Sequence, residues 1–243
     1  MSELAEISIG ELARGIRGVT YKPHQLKDDV GLNDYYLLRS NNIQNGTVDF
    51  DDMQIVEKSC VSEKQKLIDG DIIVCMSNGS RPLVGKSALI NSLQGNYCVG
   101  SFCSSFRANP GVNPNFVFQI FRSGNFKFGI DVILSGSAIN NLQNKHIEEL
   151  KFIIPASIEE QNQIAKILSK SDAAIAQTEA LIAKYQRIKT GLMQDLLTNG
   201  IDEHGNIRNE QTHRFKTEKG LRVSEDWEVV ELESVCNKIA DRD

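Results

Sequence analysis

The chain has 243 residues, 40% hydrophobic and 24% charged, with a formal net charge of −5. That composition supports a buried core and argues against a disordered, fibrous or generally cationic nucleic-acid-coating protein. No apolar run approaches the ~18 residues that a membrane-spanning helix needs, and "MSELAEISIG" lacks the basic-then-apolar order of a signal peptide, so a cytoplasmic protein with no membrane association is expected.

Residues 1–155 mix short β-branched and aromatic runs with Asn, Gly and Ser turns: "DYYLLRSNNIQNG", "GDIIVCMSNGS", "NYCVGSFCSSFRAN" and "KFIIPA". The pattern predicts an α/β (α+β) fold, a mixed globular domain of many short strands. The first polar cluster, "LLRSNNIQNG", sets Arg39, Ser40, Asn41 and Asn42 directly after a strand. Five cysteines occur without a C-x-x-C pair or neighbouring histidine pairs. They read as buried reduced thiols, with no metal site expected.

"CMSNGSRPLVGKSALI", residues 75–90, nearly spells the phosphate-binding motif G-x-x-x-x-G-K-[ST]. Gly85-Lys86-Ser87 supply the second half. The first glycine falls one residue early, at Gly79, and Ser80 stands in its place. The segment after Ser87 is also too short for the flanking helix that such a loop requires. A strand-turn-strand tip fits better, presenting Asn78, Ser80, Arg81 and Lys86 for phosphate and base-edge contact. The alternative is a P-loop-like nucleotide-binding protein using the 79–87 loop, with Lys86 and Ser87 at the phosphates.

"SSFRAN" offers Ser105, Arg107 and Asn109. "VNPNFVFQIFRSG" predicts a helix capped by Asn113, opened by Pro114 and stopped at Gly124. A helix cap also explains "NPNF" better than the N-P-P-[FY] element of amino-methyltransferases, because the second Pro and a preceding F-x-G-x-G loop are missing. "SGSAINNLQNKHIEEL" offers Ser137, Asn140, Asn141, Gln143, Asn144 and Lys145. Asn and Gln pair bidentately with adenine and Arg with guanine, yet the same residues make ordinary turns and caps. The histidines sit in polar segments or at a helix start, without a carboxylate or thiol partner, and no catalytic constellation emerges.

Residues 157–198 change character. They lack Pro, begin with a Ser157/Glu160 capping box and end at Asn199-Gly200. Ile164, Leu168, Ile175, Ile182, Tyr185, Leu192 and Leu196 recur at spacings of three, four and seven. The pattern predicts one long helix of about 40 residues and roughly 60 Å, with Gly191 and "SKSD" as possible bends. A narrow seam on so long a helix calls for a second helix. Residues 200–225 read as a polar linker with one hairpin. "WEVVELESV", 227–235, lies over "LAEISIGEL", 4–12, pairing Trp227 with Leu4, Val230 with Ile7, Leu232 with Ile9 and Val235 with Leu12. The alignment suggests that 226–243 opens a second repeat.

The stretch from "LKFIIPASIEEQ" to "KTGLMQDLLTNG" resembles the conserved region of the specificity subunit of type I restriction–modification enzymes. The resemblance is carried by Pro155, Glu160-Gln161, Ile164-Ala165, Leu168, Asp172 and Lys189 through Thr198. "LLRSNNI", "GDIIVCMSNGS" and "GSAINNLQNKHIEELKFIIP" look like that family's target recognition domain, and "WEVVELESV" like the start of a second one. The resemblance implies a non-catalytic subunit that reads one half of a bipartite site in double-stranded DNA. Its long helix, 156–199, would pack antiparallel against a second helix and set the spacing. Modification (methyltransferase) subunits would bind S-adenosylmethionine, restriction subunits would use ATP and Mg, and this chain would hold no cofactor. With one recognition domain, the chain is either part of a full subunit or a half-subunit able to form a homodimer through its helix. Arg39, Asn41, Asn42, Asn78, Ser80, Arg81, Lys86, Arg107, Asn140 and Lys145 are the expected DNA contacts.

Overall fold

The computed structural model describes residues 3–31, 33–136 and 140–236. Ser137 of the fourth polar cluster and the last residues of the expected second repeat, 237–243, lie outside the described residues. Two compact units result, Met1–Asp172 and Ala173–Asp243.

The first unit interleaves strands β1 (Leu4–Ser8), β2 (Ala13–Arg17), β3 (Leu26–Lys27), β4 (Tyr35–Leu38), β5 (Ile43–Gln44), β6 (Thr47–Val48), β7 (Gln54–Val56), β8 (Ile72–Cys75), β9 (Ser87–Leu89), β10 (Tyr97–Val99), β11 (Cys103–Ala108) and β12 (Lys151–Pro155) with helices α1 (Ile9–Leu12), α2 (Pro114–Arg122), α3 (Gly124–Ser135) and α4 (Asn144–Glu148). The unit ends on the first turns of α5 (Ile158–Asn199). One sheet has the order β2-β11-β8-β9 and another β10-β4-β7-β3.

β8 explains why "IIVC" is a continuous apolar run. Side chains alternate across a strand. Ile72 and Val74 enter one core with Phe106, Phe116 and Phe121, while Ile73 and Cys75 enter another with Leu38, Ile43, Ala88 and Val99. A strand buried on both faces carries no polar alternation.

α2 forms as its sequence predicts. Asn113 Oδ1 accepts from the Asn115 N–H at 2.9 Å, and Pro114 takes the first helical position. The helix stops at Arg122, but Gly124 opens α3 rather than a loop: the Ser123 hydroxyl accepts from the Phe126 N–H at 3.1 Å. α3 has no counterpart in the sequence reading, because Gly124 and Gly129 lower its intrinsic helicity. Its register is set by packing instead, with Phe126, Ile130 and Leu134 buried and Phe126 stacked 4.7 Å from Phe121.

β1 pairs antiparallel with β12 from Leu4↔Pro155 to Ser8↔Lys151, tying the start of the unit to the root of α5. That root belongs to the globular body, so the first compact unit runs past residue 155 to Asp172. Gln161 and Ala165 are buried, Ile164 packs on the core, and the Asp172 carboxylate accepts from Arg122 at 2.6 Å and from Gln119 at 2.9 Å.

α5 is a single helix of 42 residues, so neither Gly191 nor "SKSD" breaks it. At its start the Ser157 hydroxyl accepts from the Glu160 N–H at 3.3 Å and donates to Glu159 Oε2 at 2.8 Å. The carboxylate in the cap is therefore Glu159, one residue earlier than the expected Glu160. Ser171 and Thr178, the polar residues in the seam, donate to carbonyls four residues back, which satisfies their hydroxyls on the helix itself.

The second unit holds the rest of α5, the hairpin β13 (Phe215–Glu218) and β14 (Leu221–Ser224), and α6 (Leu232–Val235). The hairpin turns on Lys219-Gly220, both at positive φ as a two-residue turn requires. α5 ends at Asn199, and Gly200 follows at φ +71, where any Cβ would stand 2.5 Å from the Trp227 ring. α6 occupies the four positions that align with α1, Leu232 over Ile9 and Val235 over Leu12.

Candidate nucleic-acid interface

The polar clusters do not share one fate. β8 delivers the chain into loop 77–86 at Met76, and three clusters converge there. The Leu142 N–H donates to Met76 O at 2.8 Å, and Ser77 bridges Asn141 in antiparallel fashion. Asn78 Nδ2 donates to Ser40 Oγ at 3.4 Å, and Lys86 Nζ to Ile43 O at 2.9 Å. Segments 39–44, 77–86 and 140–142, far apart in sequence, thus form one stitched rim at the end of β8.

On that rim Ser80, Arg81 and Asn41 are exposed, while Asn78, Lys86 and Asn140 are half-buried. Arg81 Nη2 donates to Asp131 O at 2.9 Å, which fixes the guanidinium against α3, and among the described residues its other donors have no partner. Lys86 is held in the same way by one carbonyl. Arg39 meets Asp52, donating to its backbone O at 3.0 Å and its carboxylate at 3.1 Å, with Asn41 Nδ2 3.5 Å from the same carboxylate. An acidic residue therefore shares the rim with the cations. Lys145 stands on α4, exposed, 3.5 Å from Glu149.

Two expected contacts are engaged within the protein itself, Asn42 buried and Arg107 half-buried. Asn42 is 1% exposed. Its amide donates to Asp49 O and Asp51 O at 2.9 Å each, and its Oδ1 accepts from the Arg39 N–H at 2.9 Å. It braces the 39–52 loop and has no group left for a base. Arg107 sits at the opposite end of β8, because β11 runs antiparallel to it. It grips Asp71 with two bonds of 2.8 Å and donates to Lys66 O at 2.8 Å. Asp71 is fully buried, and its hydrogen bonds push the Arg107 pKa further up. This is a structural ion pair.

The P-loop alternative fails on geometry. Ser87 is already the first residue of strand β9, paired to β8, so a strand follows the loop where a phosphate-binding loop requires a helix. The thiols beside the rim are buried: Cys103 lies opposite Cys75 across β11 and β8, and burial pushes the Cys103 thiol up to about 12. All five cysteines are free.

The rim includes one group that the sequence reading passed over. Phe102 is 67% exposed, and its carbonyl accepts from the Met76 N–H at 2.8 Å and the Ser77 N–H at 3.2 Å. The signal was present in "VGSFC", where a Gly-Ser turn between two apolar runs leaves the following ring outside both cores.

The helix seam also divides. Ile164 faces the domain core, so the exposed seam starts at Leu168 and continues through Ile175, Ile182, Tyr185, Leu192 and Leu196. Ile167, Leu181, Ile188 and Met193 widen it. Ile175 is 57% exposed, an unusual state for a β-branched apolar side chain at helical spacing.

Comparison with known proteins agrees with this architecture. The chain is 37% identical over 175 residues to the type I restriction enzyme StySPI specificity subunit of Salmonella potsdam, covering 71% of this chain and 36% of that protein. It is 36% identical over 177 residues to the EcoKI specificity subunit of Escherichia coli, with the same coverage, and 33% identical over 222 residues to a putative MjaX specificity subunit of Methanocaldococcus jannaschii. The chain therefore spans about a third to a half of the length of the curated relatives it matches. Among solved structures, a chain of a type I R-M system superposes with TM-score 0.58 at 15% identity, over 80% of this chain and 44% of the other. The S subunit of a type I system from M. genitalium superposes with TM-score 0.52 at 16% identity, over 79% and 45%. The model of the type I restriction modification DNA specificity domain matches residues 1–187, which takes in the stitched rim and most of α5, and the chain belongs to that family.

Proposed function

We propose that this chain reads one half of a bipartite site in double-stranded DNA for a type I restriction–modification complex, through the rim formed by 39–44, 77–86 and 140–142. The observation that carries the reading is the convergence of these three polar segments on one end of β8 in a specificity-family domain. Ser80, Arg81, Asn41, Asn78, Lys86 and Asn140 are the proposed contacts, with Lys145 and Arg39 at the margin. Arg and Lys suit phosphate or guanine, and the amides suit adenine. The chain supplies recognition and no catalysis. Modification subunits bring S-adenosylmethionine and restriction subunits bring ATP and Mg. Residues 226–243 open a second recognition domain in this reading.

The exposed seam from Leu168 to Leu196 takes a second helix, from a second recognition half or from a second copy of this chain. Mapping methylated adenines in cells that express the chain with its modification subunit tests the reading. A bipartite motif that disappears without the chain is expected, and methylation that is unchanged without it refutes the assignment. For the helix, Ile175→Asp with Ile182→Asp converts a self-associated chain into a monomer by light scattering. A wild-type chain that is already monomeric leaves the seam to a different helix.

A further inference from the structure

Phe102 is the largest exposed apolar group on the rim, and it is presented by an unusually constrained turn. The Cys103 N–H donates to Gly100 O at 2.8 Å, the Gly100 N–H to Leu38 O at 2.9 Å and the Gly18 N–H to Cys103 O at 3.1 Å. Val19 bridges Gly100, and a Cβ on Gly18 would stand 2.1 Å from Gly100 O, so the two backbones touch. With the two bonds from Met76 and Ser77, the turn is anchored on the end of β4 and on the residues that follow β2 and β8. Its backbone is occupied internally, while the Phe102 ring is left in solvent. A ring left in solvent forgoes its burial energy, and the backbone bonds of the turn fix the Cα that carries it.

The position of the turn points to the ligand. It lies between the strand end that leads into Arg39–Asn42 and the one that leads into Ser77–Arg81, the two segments richest in base-reading groups. In the major groove an A·T pair offers an adenine edge to an amide and a thymine 5-methyl group to an apolar side chain. The rim holds both kinds of partner side by side. We propose that Phe102 is a specificity-determining residue whose ring packs on the 5-methyl group of a thymine in the recognised half-site. The inference rests on the DNA-reading function proposed above and adds one position to it.

The test uses the chain assembled with its modification subunit and a duplex bearing the mapped site, with each thymine of the half-site replaced in turn by deoxyuridine, which lacks only the methyl group. At one position wild type should bind the deoxyuridine duplex about fourfold more weakly, the worth of one buried methyl group. Phe102→Ala should bind the thymine duplex more weakly, and thymine and deoxyuridine equally, with unchanged denaturation midpoint and assembly. Equal losses in wild type and variant, no loss at any thymine, or a half-site without an A·T pair overturns the proposal. So does failure of Phe102→Ala to assemble with the modification subunit, which would make the ring a protein contact, and so does a minor-groove wedge, seen as DNA bending that depends on Phe102 and not on the methyl group. Wild type that binds the site specifically but ignores the methyl group removes this inference alone. Wild type that binds all duplexes alike removes the underlying reading as well.

Discussion

The two ends of β8 use the same residue types in opposite ways. At the start of the strand, Asp71 and Arg107 of the neighbouring β11 satisfy each other with two bonds of 2.8 Å, and the acid is fully buried. At its end, Ser80, Arg81 and Asn41 are exposed, and each neighbouring cation is held by only one or two protein oxygens. An arginine with a buried carboxylate opposite it is part of the core. An arginine steadied by one backbone carbonyl keeps donors for a ligand. The partner thus decides the role, and the partner is distant in sequence.

The largest effect should come from breaking the closed end. Asp71→Ala leaves Arg107 without its mate, and a broken buried pair costs about 3 kcal/mol, read as a lower urea midpoint with an unchanged slope. A midpoint within error of wild type would mean that the two ends are alike. Breaking the open end should leave folding alone. Arg81→Ala is expected to weaken DNA binding by the assembled complex by about tenfold and to reduce its salt slope by about one unit, while the urea midpoint stays put. A shifted midpoint with unchanged binding would make Arg81 a brace of α3.

A smaller effect sharpens the contrast within the rim. Asp52→Asn releases Arg39 from its carboxylate and removes a charge that repels phosphate. DNA affinity at low salt should rise about threefold through the sequence-independent part of binding, and titrations on an unrelated duplex would reveal it.

The smallest effect concerns Asp172 at the root of α5. Burial would raise its carboxyl pKa, but the bonds from Arg122 and Gln119 outweigh that and hold it below its usual 3.8. A depressed folded pKa gives stability that is present above the unfolded value and lost as pH falls through the folded one. The pair is partly exposed, so about 0.5 kcal/mol is expected. Asp172→Asn should lower stability by about that amount near neutrality, and its difference from wild type should shrink to nothing as pH falls below 4 and the wild-type carboxylate is protonated.

Elements bounded by strong local chemistry were legible in the sequence. Asn113-Pro114 opened α2, the seam and Asn199-Gly200 defined α5, and "DIIVCM" gave β8. α3 was not legible, because its two glycines hide a helix that buried aromatics impose. Three of the four polar clusters meet on the rim, but the internal partners of Asn42 and Arg107 could not be read. Their sequence neighbourhoods match those of the exposed members, and what captures Arg107 is Asp71, 36 residues earlier. Phe102 was passed over because an aromatic in a β-like run reads as core unless the turn beside it is located.

The pairing of Leu4 with Pro155 has an evolutionary consequence. Entry to and exit from the globular body lie on adjacent strands, beside the helix that follows. Such a body can be exchanged as a cassette by recombination at the two strands, provided that the replacement keeps a core for Ile164 and Ala165 and partners for Asp172 such as Arg122 and Gln119. On the DNA-reading function proposed above, such an exchange gives a lineage a new target in one genetic step.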